Sequence, residues 1–164
     1  MNIQTQTSLE RSILGQKIES FCTGMLTFSD DSGALMSQPM APIKMDSSGV
    51  IWFFTDTTSE KTRFLDELNL TFSGESDGLY VSLSGSGQMD LNEDAKKELW
   101  SPMVKPWFPD GPSTPTLGLL KFTPHTAEYW DTPHSKVVRL FAMAASIVAA
   151  KPIGLGNHMR LNDL

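Results

Sequence analysis

The segment Phe54-Thr55-Asp56-Thr57-Thr58-Ser59-Glu60-Lys61 holds the densest set of groups able to grip an anion. The apolar run Val50-Ile-Trp-Phe-Phe-Thr55 leads into it, a cluster of hydroxyls follows, and the pattern predicts a helix over 59–68. The first turn of a helix offers unpaired backbone N–H groups and the positive end of its dipole. Thr55, Thr57, Thr58 and Ser59 add hydroxyls and Lys61 adds a cation, so the segment suits a phosphate. Ordinary capping by Thr57, Thr58 or Ser59 uses the same residue types. The spacing alone leaves both readings open.

A second group of residues is aromatic. Trp52, Phe53 and Phe54 lie on the strand that enters this turn, and Trp100, Trp107 and Phe108 flank a proline-rich stretch. Flat rings beside a phosphate turn could sandwich a flavin or a nucleotide base. Plain packing in core and loops is the more common explanation of such residues.

Other chemistry has less support. The chain has no GxSxG elbow. His125 and His134 follow Pro124 and Pro133 in expected turns, with no serine or cysteine placed as a nucleophile. Asp30-Asp31 and Glu93-Asp94 read as turn and helix-start carboxylates. Cys22 is expected at the start of a strand as a small buried residue. A single cysteine excludes an intrachain disulfide, and three histidines without HxH or HxxxH spacing speak against structural zinc.

Short elements must position these groups. Leu9, Ile13, Leu14, Ile18 and Phe21 recur with helical period, which predicts an N-terminal helix over about 8–21. Strands are expected at 24–28 and 34–40, with Pro39 marking an edge or bulge. The turns Asp30-Asp-Ser-Gly33 and Asp46-Ser-Ser-Gly49 close strands, and 50–55 should lie deep in the sheet. Further strands are expected at 69–74, 79–84, 117–122 and 126–130. Gly85 and Gly87 suggest a bulge or a close backbone approach. Residues 92–100 read as a capped helix and 135–149 as an Ala-rich one, with a fraying tail over 151–164.

The 164 residues suit one domain, at roughly 150 residues each. Thirteen basic against nineteen acidic residues give a net charge of -6, which argues against nucleic acid and a polybasic membrane surface. The N-terminus lacks the pattern of a secretory signal. The longest apolar run, 140–150, has about half of the roughly 20 residues that span a bilayer. A cytoplasmic location is the resulting expectation. Short strands, frequent turns and helices at the ends predict an α+β, mainly β fold with a barrel or sandwich core. The alternation and GxGxxG fingerprint of a Rossmann fold are absent.

A family pattern then emerges. Met25-Leu-Thr-Phe28, Ser37-Gln-Pro-Met-Ala-Pro42, Ile51-Trp-Phe-Phe-Thr-Asp56 and Ser59-x-Lys61 occur in order. Val81-Ser-Leu-Ser-Gly-Ser-Gly87, Glu98-Leu-Trp100, Trp107-Phe-Pro-Asp-Gly-Pro112 and Ala127-Glu-Tyr-Trp-Asp131 follow. Over about residues 8–150 the chain resembles the general stress protein branch of the pyridoxamine 5'-phosphate oxidase-like split-barrel flavoproteins. The resemblance implies a single-domain Greek-key split β-barrel over about 22–131 with flanking helices. It implies a homodimer with FMN held non-covalently in a groove between subunits. Ser59 and Lys61 match the family's phosphate-binding pair. Phe54, Thr55 and Asp56 match the strand end beside the cofactor. Gln38, Pro39 and Met40 match the edge facing its ribityl chain and ring, and Trp107 matches a residue that covers the flavin from the other subunit.

Gln38 stands where relatives usually carry arginine, so the position keeps hydrogen bonding but loses a charge and a fork. Lys44 could compensate by its position, and Glu60 stands where the biosynthetic oxidase has a second cation. The implied activity is that of a stress-related FMN-dependent oxidoreductase acting with a small-molecule or redox partner. The alternatives are a non-catalytic flavin-binding or sensing module, or a cofactor-free dimeric interaction protein.

Overall fold

Strand-forming segments dominate the chain, and their alternating burial folds them into one mixed sheet. The computed structural model describes residues 1–74, 78–131 and 157–162. The strands are β1 (Asn2–Ile3), β2 (Gly24–Ser29), β3 (Leu35–Met40), β4 (Pro42–Met45), β5 (Ile51–Asp56), β6 (Leu68–Gly74), β7 (Leu79–Asp90), β8 (Leu117–Asp131) and β9 (Asn157–Asn162). They run in the order β1-β4-β5-β8-β7-β6-β2-β3, with β9 also on β8. β1 is parallel to β4, and the other pairings are antiparallel.

The strand faces turned inward carry Leu26, Phe28, Phe53, Leu70, Phe72, Leu83 and Phe122, all at most 1% exposed. Helix α1 (Leu9–Ile18) starts at Ser8, whose hydroxyl accepts from the Arg11 amide, and buries Leu14 and Ile18 on this core. Gly15 belongs to the same contact, because a Cβ there would lie 3.0 Å from the Ile3 side chain. Helix α2 (Glu93–Leu99) is capped by Asn92, as its sequence predicts.

Both Asp-x-Ser-Gly turns form as expected. Asp30 accepts from Ser32 and Ala34, Asp46 accepts from Ser48 and Val50, and each turn ends on a glycine with positive φ.

Several expectations are corrected. The segments 117–122 and 126–130 form one continuous strand. Pro124 breaks no ladder, because β8 shifts register opposite Ser84 and Gly85. The expected bulge lies there: a Cβ on Gly85 would sit 2.1 Å from the Thr123 carbonyl oxygen. His125 is therefore a strand residue, 3.3 Å from the Ser86 hydroxyl. Strand 79–84 continues to Asp90, and part of the expected fraying tail forms β9. β5 is half-buried on its outer face rather than buried on both. Cys22 is exposed and lies outside the strands. The expected helix over 135–149 falls outside the described residues.

Candidate functional site

Strand β5 delivers the hydroxyl-rich turn to the rim of the sheet. It is flanked by β4 and β8, and Thr55 faces inward, 3% exposed. Asp56 then closes a local turn, accepting from the Thr58 amide at 2.8 Å and its hydroxyl at 2.7 Å. These bonds hold the Asp56 carboxyl below its ordinary range against the opposing effect of burial, helped by Thr116 and by the charge of Lys61.

The expected helix over 59–68 is a four-residue 3-10 turn, Glu60–Arg63. Ser59 makes no side-chain cap; its hydroxyl instead accepts from the Lys61 ammonium at 2.9 Å. Phe64 stacks on Phe28 in the core at 5.9 Å, which draws the chain inward before a longer helix can develop. A single 3-10 turn carries little macrodipole, so the side chains rather than the helix terminus define this site.

Lys61 is its centre. The residue is 7% exposed, and its Nζ also donates to Gln38 Oε1 at 3.1 Å. No carboxylate lies within ion-pair distance of it among the described residues. Burial pushes its pKa below the ordinary value, with the Asp56 charge acting in the opposite direction. An ammonium has three N–H donors. Among the described residues two are engaged, which leaves one for a ligand. Gln38 turns its carbonyl oxygen to Lys61, which leaves its amide N–H groups to donate elsewhere. Thr55 Oγ1 is buried with no hydrogen-bond partner among the described residues. A buried cation without a carboxylate and an available amide form a donor set that suits an anion.

The fold thus brings Gln38 from β3 to Ser59 and Lys61. Met40 is buried on the same strand, while Pro39 is exposed. Phe54 lies on the outer face of β5 against Trp100, edge to face at 5.8 Å. Trp107 is 73% exposed and is not gathered to Lys61 within the chain. Lys44 lies over the Trp52 ring at 4.6 Å, where Lys121 approaches the same indole at 4.6 Å. Glu60 is exposed at the start of the 3-10 turn. Sequence reasoning passes over Thr116, whose carbonyl accepts from the Thr57 amide at 2.8 Å. Nothing in its local pattern signals that contact.

Comparison with known proteins agrees with this architecture. The family model described as pyridoxamine 5'-phosphate oxidase like matches residues 10–153. Protein bli-3 of Neurospora crassa is 27% identical over 179 residues, covering 99% of this chain and 85% of the relative. A solved general stress protein 26 from Jannaschia sp. CCS1 superposes with a TM-score of 0.70 at 26% identity, covering 90% of this chain and 94% of that one. The general stress FMN/FAD binding protein from Xanthomonas citri gives 0.65 at 30% identity, covering 77% and 91%.

Proposed function

The chain belongs to the pyridoxamine 5'-phosphate oxidase-like family, and from that premise we propose that it is an FMN-binding flavoprotein with oxidoreductase activity toward a small-molecule or redox partner. The mainly β fold with two described helices is consistent with the family's split barrel. In this reading the barrel has Greek-key connectivity and pairs as a homodimer in the cytoplasm, with the cofactor groove between subunits. Among the described residues no helix is long and apolar enough to cross a membrane.

The observation that carries the proposal is the buried Lys61 ammonium, held by Ser59 and Gln38 with one N–H left over. A phosphate monoester fits that donor set by charge and by hydrogen bonding. Ser59 and Lys61 would hold the phosphate, with the Gln38 amide as a further donor and Thr55 closing the inner wall. Pro39, Met40, Phe54 and Asp56 would border the rest of the cofactor, and Trp107 would cover it from the second subunit. When bound, FMN supplies hydride and electron transfer. The chain's own residues orient it, exclude water from its phosphate and balance its charge.

The test is a titration of purified protein with FMN, followed by flavin fluorescence and then by reduction with NAD(P)H. Saturable quenching at one site per chain and turnover with an acceptor are expected. Saturable binding without reduction by any donor would restrict the protein to flavin storage or sensing. An absence of binding would remove the flavin reading.

A further inference from the structure

The proline-rich residues 101–116 leave and rejoin the fold beside the anion turn. Trp100, the last residue before them, meets the Phe54 ring edge to face at 5.8 Å. Thr116, the last residue within them, accepts from the Thr57 amide at 2.8 Å. Leu117 then pairs with Asp56 in the sheet. The two ends are also pinned to each other, because the buried Lys96 of α2 donates to the Leu117 carbonyl at 3.2 Å and pairs with Glu93 at 2.5 Å. Between these roots Phe108 is buried as a peg, while Met103 and Trp107 are 82% and 73% exposed. Both roots of the strap, at Trp100 and at Thr116, touch residues 54–57.

We propose that Trp100 is a positioning residue for the anion site, acting through Phe54, and that residues 101–116 form a strap that tightens when a phosphate-bearing flavin occupies the site. The inference rests on the flavin reading above. Ligand contact at the turn fixes Thr57 and Phe54. Both are roots of the strap, so fluctuations of the strap fall with those of the turn. The edge-to-face geometry matters as well as bulk, because an aromatic edge meets a ring face more favourably than an aliphatic group does.

The test combines FMN titration with amide hydrogen exchange on the wild-type protein, Trp100→Leu and Trp100→Phe. In the wild type, FMN is expected to slow exchange at least threefold both in peptides spanning 55–64 and in peptides spanning 101–117. Trp100→Leu is expected to weaken FMN binding about threefold to tenfold and to abolish the slowing over 101–117. Trp100→Phe should restore both to within about twofold, a rescue that loss of packing alone would not give. Slowing at 55–64 without any change at 101–117 overturns the coupling and leaves the flavin reading standing. Equal behaviour of the Leu and Phe variants also overturns it. Absence of FMN quenching by the wild type removes the flavin reading and the coupling together.

Discussion

The Lys61 ammonium lies 3.1 Å from the Gln38 carbonyl oxygen, joining strand β3 to the turn after β5. A neutral partner thus stands where a carboxylate would satisfy a buried cation. The charge of Lys61 is left available to a ligand, and its desolvation is incompletely repaid in the free protein.

Replacing that cation by an apolar residue separates binding from folding. Lys61→Met should leave the free protein at least as stable as wild type, because a partly compensated buried charge is removed. The same variant should lose about 1.5–3 kcal/mol of FMN binding, roughly tenfold to a hundredfold in Kd, the range for a charge-assisted hydrogen bond. Urea denaturation of the free protein and a fluorescence titration check the two halves. A variant that is markedly less stable and binds normally would reverse the assignment of Lys61 from ligand group to structural group.

The pH dependence follows from the same burial. The folded protein holds the Lys61 pKa below its ordinary 10.5. Between the lowered value and 10.5 the unfolded chain binds more protons, so stability of the free protein rises with pH through that window. FMN affinity should fall through the same window as the ammonium loses its proton. The difference between wild type and Lys61→Met, measured by urea midpoints and FMN titrations at increasing pH, isolates both trends from the other lysines. Parallel profiles for the two proteins would refute this coupling.

Asp56 gives the opposite limb. Its carboxyl is held below the ordinary 3.8 chiefly by the Thr58 hydroxyl and amide. The stability it contributes is present above 3.8 and is lost as pH falls through the folded value. Asp56→Asn should flatten the acid limb of a stability profile without altering the alkaline one. An unchanged acid limb would show that the turn does not depend on this charge.

Restoring a second cation tests the role of Gln38. Gln38→Arg places a guanidinium beside the buried ammonium. The free protein should therefore lose stability through like-charge repulsion, while FMN binding tightens by about tenfold from an added charged hydrogen bond. Thermal unfolding with and without FMN should show a lower Tm without ligand and a larger ligand-induced rise. A variant that is destabilised equally in both conditions would place Gln38 outside the anion site.

Gly85 probes the sheet that positions all of this. Its Cβ position lies 2.1 Å from a backbone oxygen, so no side-chain rearrangement can relieve the clash. Gly85→Ala should destabilise the fold by about 3 kcal/mol, the upper part of the overpacking range. Urea unfolding measures it, and a change below about 1 kcal/mol would mean that the bulge opens freely.

Strand β5 and its turn are legible because an apolar run followed by hydroxyls reads locally. Gly85 is legible because a glycine inside an alternating strand needs a backbone reason. The joining of Gln38 to Lys61 is a different case. It depends on β3 folding back across the sheet edge, and local periodicity carries no trace of it; only the family resemblance pointed to Gln38. The 3-10 turn resembles a longer helix in sequence because capping hydroxyls look alike there whether they accept from an amide or from Lys61. Pro124 reads as a bend in sequence because the register shift that accommodates it, opposite Ser84 and Gly85, depends on strand pairing that the local pattern does not carry. Trp107 sits on an exposed strap, so its expected place over a cofactor depends on a second subunit.

The most direct measurement compares FMN with riboflavin, which shares the ring and ribityl chain and lacks the phosphate, by calorimetric titration of wild type and Lys61→Met. If the phosphate is held at Lys61, wild type should bind FMN about tenfold or more tightly than riboflavin, and the preference should collapse in Lys61→Met. Equal affinity for the two flavins in wild type, or an undiminished preference for FMN in Lys61→Met, would contradict the account.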